Sequence, residues 1–100
     1  MTLARYEWGD DQSPPLVCLH GVTSHGRHFR PLAELLAERF HVVSVDLRGH
    51  GDSTWEPPWN LEQHVADVLA AAPQERCTWL GHSFGGRVAY EVAAAAPSRV

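Results

Sequence analysis

Gly81-His82-Ser83-Phe84-Gly85-Gly86 sets a serine among glycines, after an apolar run and before an alanine-rich stretch. The first five residues fit G-x-S-x-G. Glycine and serine each make up about 7% of residues, so chance gives the pattern in about 3% of chains this long. The surroundings therefore have to decide. One reading makes Ser83 a nucleophile held on a sharp turn from strand to helix, with its hydroxyl above the sheet. Side chains two residues to either side would then collide with the crossing strand and helix, a physical reason for glycine at 81 and 85. The N–H of Phe84 would face the oxygen of a carbonyl attacked by Ser83, and the helix starting there would add the positive end of its dipole. The other reading makes Ser83 an ordinary small residue of a glycine-rich loop.

Working outward, Arg76–His82 reads as a strand and Phe84–Ala96 as a helix stopped by Pro97. The alanines of that helix predict close packing on more than one side. Leu16–His20 and His41–Asp46 are short, continuous apolar runs, as expected of strands buried on both faces. Leu3–Trp8 alternates loosely, as an edge strand does. Between these, Arg27–Arg39 carries Phe29, Leu32, Leu36 and Phe40 at helical spacing, with Leu35 beside them. Asn60 can cap a helix with Gln63 three residues on, and Leu61, Val65, Val68, Leu69 and Ala72 form its apolar face up to Pro73. Pro57-Pro58 exclude a helix from the preceding loop. The order is strand, helix, strand, helix, strand, helix. Connections of this length predict an α/β fold, with a mostly parallel sheet and helices on both faces. There is no repeat, low-complexity tract or linker, so residues 1–100 read as part of a single domain.

Composition narrows the chemistry. The chain has 100 residues, 44% hydrophobic and 20% charged, with a net charge of -4. That balance gives no basic footprint for nucleic acid. All eight cations are arginine, which removes a phosphate-cradling or Schiff-base lysine. Cys18 and Cys77 sit in apolar runs and read as buried thiols of a reducing compartment. No signal peptide and no apolar run long enough for a bilayer is visible, so the expected location is the cytoplasm and the expected partner a small-molecule substrate.

Three motifs now stand in order: His20-Gly21 after the first long strand, Asp46-x-Arg48-Gly49-x-Gly51-x-Ser53 after the second, and Gly81-x-Ser83-x-Gly85-Gly86 after the third. In this arrangement Val17–Val100 resembles the N-terminal portion of the α/β-hydrolase superfamily, in its serine-nucleophile branch. The resemblance implies that Ser83 is the nucleophile and that Val22 and Phe84 supply the oxyanion-hole N–H groups, with Thr23 in reserve. It implies that the Asp46 loop is structural. It places the catalytic acid and histidine later in the chain than Val100, along with the later strands and any cap. On that reading residues 1–100 alone leave the third long strand with an open edge, and are expected to be unstable and inactive.

The reaction implied is hydrolysis of a carboxylic ester, thioester or lactone through an acyl-enzyme at Ser83, with no cofactor and no metal. Serine at the elbow disfavours the aspartate-nucleophile branches, the dehalogenases and epoxide hydrolases. Two alternatives remain open. One is carbon–carbon bond hydrolysis or elimination, since Gly81–Arg87 also resembles the elbow of the menaquinone-pathway synthase of this fold. The other is a non-catalytic ligand-binding member. Among the seven histidines, none is expected to be the base. His82 diverges from its neighbour Ser83, His20 reads as a satisfied structural residue, and His41 and His64 as surface residues. His25, His50 and Trp55 are candidate pocket residues. His25 and His28 lack the third ligand that zinc requires. Trp59 either walls the pocket or covers the core edge, and Trp79 and Tyr90 read as core.

Overall fold

The computed structural model describes residues 3–100. Strand β2, Pro15–Leu19, lies inside the sheet because it is apolar on both faces. Successive strand side chains point to opposite sides. Val17 and Leu19 enter one core with Val65, Val68, Val88 and Val92, while Leu16 and Cys18 enter another with Phe29, Ala33 and Val42. Strand β3, His41–Val45, pairs with β2 in parallel on one side, and β4, Thr78–Gly81, does so on the other. The N-terminal strand β1, Arg5–Trp8, adds antiparallel to β3, giving the order β1-β3-β2-β4. Helix α1, Arg30–Leu36, covers the second core, and α2, Leu61–Ala71, with α3, Phe84–Ala95, covers the first. Each fully buried valine of the first core contributes about 1.5–3 kcal/mol relative to exposure.

Local chemistry explains where the sequence expectations shift. The first helix was expected over Arg27–Arg39, but Gly26–Phe29 winds as a 3₁₀ turn and α1 begins only at Arg30. Pro31 sits in its first turn, where a missing N–H costs nothing. The inward stripe is then Phe29 and Ala33, both buried, and the partly buried Leu36, while Leu32 is 39% and Leu35 78% exposed. Asn60 caps α2 as expected, its Oδ1 accepting from the Gln63 N–H at 2.8 Å. The Gln63 side chain donates instead to Asp67.

Three core expectations are corrected. Strand β4 is shorter than Arg76–His82 and only half covered, with Thr78 and Leu80 exposed, because its far edge is unpaired among the described residues. Helix α3 buries one face, Gly85, Val88 and Val92, and leaves Ala93–Ala95 exposed. Tyr90 lies on that open side at 72% exposure. Trp79 is partly buried against the first core, and its indole N–H donates to the Arg99 carbonyl at 2.9 Å.

Candidate active site

Ser83 joins β4 to α3 at φ 56°, ψ -118°. L-residues rarely hold positive φ, at a cost of about 1–3 kcal/mol, and do so only where the surroundings enforce it. Here they do. The His82 N–H donates to the Leu19 carbonyl at 3.0 Å, and the N–H groups of Gly85 and Gly86 donate back to His82 and Ser83 at 3.0 and 2.9 Å. A methyl at Gly81 would strike the backbone of Gly85 and Gly86, and one at Gly85 would strike the carbonyls of Leu19 and His20. The chain crosses there too closely for any side chain. Ser83 is exposed, and its hydroxyl bonds to no group among the described residues.

The loop after β2 lies against this turn. A Cβ at Gly21 would sit 3.3 Å from the Ser83 Cβ. The Ser24 N–H donates to the Gly21 carbonyl at 3.1 Å, closing a turn over Val22 and Thr23. Thr23 is at φ 68°, and Val22 is not among the positive-φ residues, which makes the turn type II. Thr23 cannot serve as reserve oxyanion donor, because its N–H donates to His50 Nε2 at 3.0 Å. The N–H groups of Val22 and Phe84 donate to no acceptor among the described residues.

Two histidines tie this loop to the one after β3. His20 is fully buried, and its Nε2 accepts the Leu47 N–H at 2.9 Å. Its proton therefore sits on Nδ1, donated to the Gly21 carbonyl at 2.7 Å. Burial holds its pKa below the ordinary 6.5, so the ring stays neutral. His50 is bonded in the same way from the other loop, its Nε2 accepting from Thr23 and its Nδ1 donating to the Arg48 carbonyl at 3.0 Å. The two rings meet edge to face, centroids 4.8 Å apart.

Asp46 anchors the same region. Its carboxylate accepts from the Gly26 N–H at 2.7 Å, the Asp52 N–H at 2.9 Å and the Tyr6 hydroxyl at 2.7 Å. Burial alone would raise its pKa, but these donors outweigh burial and hold it below 3.8. Burial, and then the bond to that carboxylate, pushes the Tyr6 phenol up to about 12. The Ser53 hydroxyl donates to the Asp46 carbonyl and accepts the Ala4 N–H at 2.9 Å. Arg48 grips Asp67 of α2 through Nε at 2.8 Å and Nη2 at 2.9 Å.

The candidate pocket residues His25, His50 and Trp55 come together with Val22 in one cavity of about 620 Å³. Thr23, singled out above only as a reserve oxyanion donor, also lines it, as do Ser24 and Arg27, which sequence reasoning missed although they lie close to His25. Ser83 does not line this cavity and meets it only through the Gly21–Val22 turn. His28 lies elsewhere, its ring stacked on His82 at 5.8 Å. Trp59 packs over Gly49. His41 and His64, expected at the surface, are both buried. His41 Nε2 bonds the Glu7 carboxylate across the β1–β3 pair at 2.7 Å. His64 meets the Phe84 ring edge-on at 5.2 Å, and its Nδ1 has no partner among the described residues. No three His, Cys, Asp or Glu side chains cluster as a metal site among those residues, and no helix there is long and apolar enough to cross a membrane.

The chain is similar to proteins of known sequence and structure. The chain is 38% identical over its whole length to a pimeloyl-[acyl-carrier protein] methyl ester esterase of Aliivibrio salmonicida, covering 38% of that protein. Over 96 residues it is 38% identical to the lipase LipV of Mycobacterium tuberculosis, covering 93% of this chain and 36% of the lipase. The structure superposes on a marine microorganism esterase with a TM-score of 0.93 and 29% identity, over 100% of this chain and 39% of the other. The chain thus spans somewhat over a third of the length of these relatives. The alpha/beta hydrolase fold family matches residues 14–100, and the chain belongs to that family.

Proposed function

We propose that the full gene product is a serine hydrolase of carboxylic esters, thioesters or lactones, with Ser83 as the nucleophile. The observation that carries this is Ser83 itself. It is a strained, exposed residue whose backbone is pinned from both sides while its hydroxyl has no partner among the described residues. A structural turn serine would not require that strain. Attack on the substrate carbonyl forms a tetrahedral oxyanion, which the free N–H groups of Val22 and Phe84 stabilise. Ser83 gives its proton to a histidine base, and water later releases the acyl group. The resemblance assigns that base to a histidine beyond Val100. The esterases and lipase among the relatives support the acyl-transfer class. Arg87, at the end of the elbow stretch that resembles the synthase, pairs with Glu91 at 3.1 Å and lines a groove between α2 and α3.

The test is a fluorophosphonate probe on the full gene product at neutral pH, followed by intact mass and peptide mapping. A single adduct on Ser83, absent in Ser83→Ala, is expected. A folded protein that takes up no probe would remove the catalytic reading and favour a ligand-binding one.

A further inference from the structure

Thr23 is β-branched, yet it holds φ 68°, a conformation normally left to glycine. A type II turn demands it, and the side chain that secures this turn from outside is His50, whose Nε2 lone pair takes the Thr23 N–H at 3.0 Å. The ring is fixed from behind, since its Nδ1–H is given to the Arg48 carbonyl. His50 is half-buried and lines the cavity, so protons reach it, whereas His20 is sealed. A protonated imidazole has no lone pair to offer. The alternative type I turn differs by rotating the Val22–Thr23 peptide plane about half a turn, which relieves the positive φ at Thr23. That rotation also brings the Val22 carbonyl to where the Thr23 N–H had been.

We propose that His50 is a positioning residue for the oxyanion loop. Its neutral ring holds the Gly21–Ser24 turn in the type II form. Protonation from solvent turns Nε2 into a donor, the Val22–Thr23 peptide flips, and the Val22 carbonyl accepts from the new N–H. The flip shifts the turn that presents the Val22 N–H beside Ser83. The effect on reaction rests on the serine-hydrolase reading; the flip does not. Around His50 stand His20 at the end of β2, His64 on α2, and His25 and Arg27 across the cavity. Its own loop adds Asp46, Arg48 and Asp52. Arg48 is held by Asp67, and Asp46 by its three donors.

The deciding measurement is nuclear magnetic resonance of the isotopically labelled full gene product from pH 8 to pH 5. At pH 8 His50 should carry its proton on Nδ1 alone. The Thr23 amide should shift with the same midpoint as His50 Nε2, and its Cα shift should move from left-handed to right-handed values. A Thr23 signal that ignores the His50 titration, or a proton on Nε2 at pH 8, overturns the proposal. A second arm reads fluorophosphonate labelling of Ser83 at pH 8. His50→Ala should slow it roughly tenfold to a hundredfold. His50→Gln, which keeps an acceptor without titrating, should recover most of that loss and abolish the Thr23 shift. Equal rates for His50→Ala and wild type refute the positioning role. Failure of the wild type to label refutes the hydrolase reading, and the resonance arm still decides the flip.

Discussion

Gly85 and Gly86 are neighbours in one helix, yet alanine at each should act in opposite directions. At Gly85 the new methyl meets only backbone, the carbonyls of Leu19 and His20, and backbone cannot turn aside as a flexible side chain can. Ordinary carbon contacts need about 3.5 Å, so α3 must lift off β2 by roughly an ångström or more. Such overpacking costs about 1–3 kcal/mol. The His82 N–H bond to the Leu19 carbonyl is strained by the same shift, for about 1 kcal/mol more. Alanine returns up to about 1 kcal/mol of helix propensity, so the net loss is about 1–3 kcal/mol. At Gly86 the methyl would lie 3.4 Å from the Gly81 carbonyl oxygen, which needs little adjustment, and no positive φ stands in the way. There the propensity gain should dominate, for about 0.4–1 kcal/mol of stabilisation. Urea unfolding of the full gene product, followed by tryptophan fluorescence, measures both. If Gly85→Ala stays within about 1 kcal/mol of wild type, or matches Gly86→Ala, the helix does not cross the strand as closely as described.

Asp46→Asn should cost about 1–3 kcal/mol, since the amide turns an N–H₂ toward one of three donors, and Tyr6→Phe about 1 kcal/mol; chemical denaturation checks both. Acid should weaken the fold in two stages, read as melting temperature against pH. His20 and His64 are held below 6.5 by burial, so the unfolded chain binds more protons and stability falls as pH drops below 6.5. Burial raises the Asp46 and Asp67 carboxyls, but hydrogen bonds from backbone N–H groups and from Arg48 lower them further. Their contribution is full above 3.8 and is lost as pH falls through the folded values. His64→Leu removes a buried nitrogen that has no partner among the described residues and should flatten part of the first stage while holding or raising stability at pH 7.

The features readable from sequence are those set by neighbours along the chain. The glycines at 81 and 85 announce a close crossing because only steric exclusion requires them so near a serine. Asn60 announces a helix start because its acceptor is three residues away. The boundary at Arg30 was also local, since Pro31 fits only a first turn, but the apolar spacing masked it. Burial of His41 and His64 depends on partners 34 and 20 residues distant, Glu7 and Phe84, and no local pattern encodes them. The same holds for His50 and Thr23, 27 residues apart, so the bond that removes Thr23 from the oxyanion role shows only in three dimensions. Tyr90 and the alanines of α3 follow spacing that suits burial, but no described element covers that side.

The carboxylate of Asp46 belongs at once to the N-terminal strand through Tyr6, to the turn before α1 through Gly26, and to its own loop through Asp52. A chimera that borrows only one of these segments from a relative would receive a donor without its acceptor, or the reverse. Anyone recombining pockets within this family should therefore treat β1, the Gly26 turn and the Asp46–Ser53 loop as one cassette. Residues 56–59 travel with it, since the Glu56 carbonyl accepts from Arg48 and the Trp59 ring packs over Gly49.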